Sequence, residues 1–360
     1  MRTDSAPPLA VVTDQGTPPV RIRPRSFHTR DAAVVGGAAA ASLALTWLLY
    51  SQILPFQGLP GFLLMWAAFN FLIYYVAVRE TQGRVVARDR TMASIISVVA
   101  IAVVIPLILI LGYVTLKGLR FLRLIFFTTT MASVGPESPS TQTGGLQAIV
   151  GTFEQVGIAM VISVPLGILT AVYLNEVKGR LVRPTRIFVD AMSGVPSIVA
   201  GLFIYTTIVA RHGGFSGFAA ALALSILMLP TVTRTCEVVL RLVPDGLREA
   251  SLAMGAPEWR TTWGVILPTA RTGILTAMIL GVARVVGETA PLIMTAFGSA
   301  TLNVNPFSGP QAALSLSSFQ LFGSSQTADV ERAWVFAFVL LSIVLILFVS
   351  ARLLGEKRRT

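Results

Sequence analysis

One apolar run, residues 270–296, carries Arg284 and Glu288, two ionisable side chains four residues apart. On a helix that spacing puts both on one side, within reach of each other. A charge at membrane depth costs about 3 kcal/mol on insertion scales, so such residues usually turn towards a bundle interior or a watery path. Arginine suits an anionic oxyacid, because its planar fork can hold two oxygens at once; a carboxylate beside it would orient it or compete with the anion. The plain alternative is a pair that only pins two helices together. Arg234, at the end of another apolar run, is a second candidate on the same path, although a side chain of that length can also anchor at the headgroups.

A different kind of chemistry, docking rather than binding, is written in residues 245–268. Asp245 can cap a short helix, and Leu247, Ala250, Ser251 and Met254 share one face of it. Gly255 can take the left-handed conformation that ends it, and Pro257 suits the first turn of a second helix. The expectation is a short helix, a sharp turn and another helix between two membrane spans. Such an element is either a connector packed on the bilayer or a helix offered to a groove on another protein.

Catalysis has little to stand on. Cys236 is the single cysteine and only His28 and His212 accompany it, so neither a disulfide nor a metal cluster is expected. No paired-carboxylate motif or nucleophile with a histidine partner is visible. Neither is a phosphate-binding glycine loop, so the chain is not expected to bind ATP itself.

The elements that must position these residues are membrane helices. Of 360 residues, 54% are hydrophobic and 12% charged, against roughly one quarter charged in soluble domains. Eight stretches long enough to cross a bilayer fall near 32–54, 60–79, 93–116, 147–174, 188–210, 217–239, 270–296 and 334–353, with a kink expected at Gly194–Pro196 in the fifth. The net charge of +11 does not point to nucleic acid, because the basic residues segregate: only Lys117, Arg120, Arg123, Arg211 and Arg332 fall in outer segments, and Arg284 lies inside a span. That bias puts both termini in the cytoplasm. Residues 1–31 read as a disordered cytoplasmic tail rather than a cleaved signal, 32–92 as an added hairpin with a cytoplasmic linker, 93–354 as the transport domain and 355–360 as a second tail. Segment 117–146 is expected either to lie on the membrane surface or to form a plain loop, and Glu154 and Asp190 sit near the starts of their spans.

Residues 249–268 resemble the coupling loop of ABC importer permeases, a Glu-Ala-Ala, Gly and Ile-x-Leu-Pro pattern: Glu249, Ala250, Gly255, Leu267 and Pro268 match at the family spacing, with Ser251 and Val265 as mild departures. The wording Gly287-Glu288-Thr289-Ala290-Pro291-Leu292, with Gly194–Val199 and Leu229–Arg234, resembles the A-type permease family of phosphate-specific ABC importers (PstA), from about residue 93 to the end. The resemblance implies an all-α, polytopic type I permease core of six helices, here with two extra N-terminal spans, in the bacterial cytoplasmic membrane. It implies import of inorganic phosphate with ATP hydrolysed on a partner, not on this chain. The partners implied are a second permease subunit (PstC-like), an ATP-binding subunit dimer (PstB-like) and an extracytoplasmic phosphate-binding protein (PstS-like). Glu249, Ala250, Gly255, Leu267 and Pro268 would couple to the ATPase; Arg284, Glu288 and Arg234 would line the path. A permease for sulfate or molybdate is the near alternative. An ion channel or secondary transporter is the distant one, and it leaves the segment 245–268 without a purpose.

Overall fold

The computed structural model describes residues 29–53, 58–135, 137–177, 179–212 and 214–356. The turn expected at Pro55, most of the expected N-terminal tail (1–28) and residues 357–360 lie outside them. Among the described residues seven helices are long and apolar enough to span a bilayer, and one bent pair adds an eighth if it is a single span. Among the described residues the β-type pairing is confined to an isolated bridge between Phe297 and Gln311.

Two compact units divide at Leu107. The first holds α1 (Thr29–Trp47), α2 (Leu59–Gln82) and the opening of α3 (Arg84–Phe121). Small residues let α1 and α2 approach, as helices in lipid favour. Asn70 on α2 donates to the Ser42 hydroxyl, and the Trp66 indole to the Ala39 carbonyl. The linker expected before residue 93 is instead helix on both sides of Gly83, whose φ of 88° separates α2 from α3. The charges at Arg84, Arg88 and Arg90 mark the polar end of a helix, not a gap in it. α3 therefore runs through the boundary expected at 92/93, and the units part within it, beyond Pro106.

The second unit is built around α7 (Gly217–Arg241), whose Leu224, Met228, Val232, Cys236 and Leu240 are all buried. α4 (Leu146–Glu176) and α9 (Glu258–Val286) flank it. A Cβ added to Gly167 of α4 or Gly281 of α9 would lie 2.9 or 2.7 Å from Val232, so both helices need hydrogen where other residues carry carbon. In a bilayer such close packing, not the exclusion of water, holds helices together.

Two expected spans are broken. Residues 188–210 do not form one kinked helix: α5 (Val182–Ser193) and α6 (Ser197–Val209) meet at 102°. Gly194 closes α5 and Pro196 opens α6, and a proline bars the residue before it from continuing a helix. Residues 270–296 likewise divide into the end of α9 and α10 (Ala290–Thr295), separated over Gly287–Thr289, with Pro291 in the first turn of α10. α11 (Leu314–Phe322) and α12 (Thr327–Glu356) complete the unit, α12 beginning earlier than expected. Segment 117–146 continues α3 to Phe121 and then folds onto the second unit, with Leu124, Ile125 and Phe127 left exposed. Phe126 is fully buried, its ring 5.0 Å from that of Phe336, and Gly145 packs on its face.

Candidate functional site

Three places carry the polar residues. The first is the α8 helix (Asp245–Ala253), which buries none of its side chains. It ends as expected: Gly255 has φ 83°, its amide donates to the Leu252 carbonyl and the Ala256 amide to the Ser251 carbonyl, the paired bonds of a Schellman turn. Open space surrounds the Gly255 Cα, so only the backbone conformation demands glycine there. Two details differ from expectation. Asp245 occupies the first helical position behind Pro244 and bonds Arg248 at 2.7 Å instead of capping, and the second helix is not separate, since α9 continues from Glu258 directly across the bilayer. Leu267 and Pro268 therefore sit within a continuous helix, at a wider turn over Thr262–Ile266.

What holds α8 is polar. Arg248 forks onto the end of α4, Nη2 to Glu176 Oε1 at 2.8 Å and Nε to Oε2 at 3.2 Å. Ser251 Oγ lies 2.8 Å from Thr261 Oγ1 on α9. Three spanning helices thus converge on it: α7 through the chain, α4 through Arg248 and α9 through Ser251. A cleft of about 310 Å³ opens beside it, lined in part by Glu176, Glu249 and Glu258. Leu247, Leu252, Met254 and Trp259 stand exposed, as do Glu249 and Ala250.

The second place is mid-membrane. Arg284 Nη1 donates to Thr231 Oγ1 at 3.0 Å, just past the middle of α7, and the arginine is exposed on the flank of the chain. The expected pairing with Glu288 does not form among the described residues. α9 stops at Val286, so the helical spacing that would align the two is lost, and Glu288 lies in the break, where its carbonyl accepts from Ser315.

The third lies one turn further along α7. Arg234 does not reach for headgroups; it binds Asp190 of α5 and Glu237 of its own helix. Glu237 also takes Arg186 of α5, at 2.9 Å, and Arg241. One carboxylate with 4% of its side chain exposed thus gathers three guanidinium groups and ties α5 to α7. Glu237 is the residue that sequence reasoning passed over. Its signal was present, with arginines three residues before and four after it.

At the opposite end of α7 a loop, 297–313, folds onto the bundle. Gln155 of α4 donates to Gln311 Oε1 at 3.0 Å and to the Ala312 carbonyl at 3.2 Å, while Gln311 donates to Glu154 and to the Asn303 carbonyl. Glu154, expected at an interface, thus holds a loop. Arg332, almost fully buried, binds Asp329 and the carbonyls of Ser138 and Pro139.

Comparison with known proteins places this arrangement. A phosphate transport system permease protein, PstA 1, of Mycobacterium tuberculosis (strain H37Rv) is 41% identical over 266 residues, 72% of this chain and 85% of that protein. The PstA protein of Yersinia pestis is 38% identical over 257 residues, 70% of this chain and 85% of its own length. A chain of the MetNI methionine ABC transporter, crystallised in inward-facing conformations, aligns with 21% identity and a TM-score of 0.47 over 59% of this chain and 95% of its own. The family model for binding-protein-dependent transport system inner membrane components matches residues 163–360, more than half of the chain. The protein is a multi-pass membrane transport subunit and belongs to that family.

Proposed function

We propose that this chain is the permease subunit of an ABC importer that moves inorganic phosphate inward, driven by ATP hydrolysed on a partner subunit. The observation that carries the reading is α8: a helix with no buried side chain and several exposed apolar ones, held only at its back by Arg248 and Ser251. A helix left bare in this way, with spans on either side, is built to enter a groove on another chain. Glu249, Ala250 and Gly255 shape it, and Leu267 and Pro268 lie within the span that would feel its movement. The segregation of arginines supports a cytoplasmic position for that end and for both termini.

The path runs from Arg284 and Thr231 at mid-membrane towards Arg234 and its cluster. Arg284 is exposed on the single chain, and a guanidinium there is tolerated only against water or another protein. A second permease subunit of PstC type would close that side, a PstB-type dimer would supply ATP hydrolysis, and a PstS-type binding protein would deliver phosphate at the loop-covered end. The phosphate assignment rests on the names and identity of the relatives; the arginine fork fits it chemically. Glu288, freed from Arg284 in this conformation, would gate by competing for it in another.

The test is uptake of labelled phosphate into vesicles reconstituted with this chain and the three partners. ATP-dependent uptake that collapses in Arg284→Ala, with the complex intact, supports both the function and the path. Uptake of sulfate or molybdate in place of phosphate overturns the substrate, and transport without the ATPase overturns the class.

A further inference from the structure

The α5 helix has a side that nothing in the second unit covers. Pro184, Ile187, Phe188 and Ala191 recur at helical spacing, all exposed, with Ile187 at 59% and Phe188 at 65%. The other side is occupied: Val189 is buried, and Arg186 and Asp190 reach Glu237 and Arg234 of α7. Arg180, just before the helix, and Arg183, in its first turn, are exposed and make no ion pair among the described residues.

Geometry says where this apolar side lies. α6 exposes Ile198, Val199, Leu202 and Phe203, and α5 leaves it at 102°. If α6 crosses the bilayer with a tilt of about 20°, α5 lies within about 30° of the membrane plane. A helix with one apolar and one polar side and arginines at its border, held in that plane, has the form of an interfacial helix, which settles about 5–10 Å into the boundary between headgroups and acyl chains.

We propose that α5 is a lipid-docking element, its Pro184–Ala191 stripe seated among acyl chains and Arg180 and Arg183 bound to the headgroups of anionic phospholipid. The charge match selects the occupant. Among the described residues the open cations at this border are Arg180 and Arg183, whose forks suit phosphodiesters, and the exposed acid on the helix, Asp190, is already held by Arg234. The same helix carries half of the Glu237 cluster on its back, so the lipid seat and the end of α7 are joined by one rigid element about 18 Å long. The inference rests on the chain spanning a bilayer and not on which substrate it carries.

The experiment uses the full-length chain in its assembled transporter, in vesicles of phosphatidylcholine with and without phosphatidylglycerol. Cys236 is fully buried and is this chain's only cysteine, so with cysteine-free partner subunits a nitroxide introduced through Phe188→Cys reports from α5. The expected result is a several-fold higher ratio of oxygen to nickel-chelate collisions at position 188 than at Arg183→Cys. That ratio should rise further with phosphatidylglycerol, and the rise should vanish in Arg180→Gln/Arg183→Gln. A label shielded from both colliders would mean that the second permease subunit covers the stripe, and a label open to nickel would mean that it faces water; either overturns the proposal. An unchanged ratio on adding phosphatidylglycerol overturns the headgroup assignment.

Discussion

The two ends of α7 are built on opposite principles. At its start, the 297–313 loop is sewn to the bundle by buried amides, and Gln155 and Gln311 have no exposed surface. A Cβ on Gly217 would sit 1.9 Å from Gln311 Oε1, so the loop is packed as tightly as the core itself. At its finish, the contacts are charged and half open: Glu237 is buried, but Arg186 and Arg241 are 39% and 55% exposed, and α8 beyond them buries nothing. A junction of fully buried amides holds one geometry. A charged, wet one can exchange partners at little cost, because water takes up whatever an arginine releases. The difference leaves the charged end the freer of the two to exchange its contacts.

The largest test of that contrast is Glu237→Ala. Three guanidinium groups lose their shared partner, and the expected loss is about 3 kcal/mol, near the low end for a buried charge because the arginines are partly solvated. It would be read as a fall in thermal denaturation midpoint, smaller at high salt, since screening weakens the cluster before any mutation is made. Gln311→Ala comes next. It strands Gln155 and Glu154, at about 2 kcal/mol, and this loss should not respond to salt. Equal salt dependence of the two would erase the distinction drawn here. Gly255→Ala follows at about 1 kcal/mol, the strain of a left-handed residue with a side chain. Its larger expected consequence is a misdirected α8, seen as ATPase activity no longer matched by uptake. The smallest change in stability, below about 1 kcal/mol, is expected for Arg248→Lys, which keeps the charge but loses the fork onto Glu176. If uptake per ATP hydrolysed stays normal in that variant, Arg248 is a tether and nothing more.

Much of this was legible in the sequence, and the gaps have physical causes. The spans beginning at Leu59, Leu146 and Gly217 are long apolar runs that need only composition to be read, and Gly255 announced its conformation through its place after a helical face. Hydropathy could not see the breaks at Pro196 and at Gly287, because an apolar window averages over a turn. The Arg284–Glu288 pairing failed for the same reason: spacing predicts contact only while the helix lasts. Asp190 and Arg186 were out of reach because their partners lie on another helix, and the Arg248–Glu176 fork joins residues 72 positions apart. The cluster's local half, Arg234, Glu237 and Arg241, was readable by spacing alone.

The pinning of Ser138 and Pro139 by Arg332 bears on how the molecule is made. The arginine follows Ser138 by 194 positions, and Ala312 follows Gln155 by 157. During synthesis α4 enters the membrane long before the residues that satisfy its first turns exist. Until the 297–313 loop and α12 emerge, Gln155 and the 138–139 carbonyls have no final partner. The N-terminal part of this unit is thus finished last, and a chain stopped before Gln311 would insert its earlier helices yet expose an unfinished end to quality control.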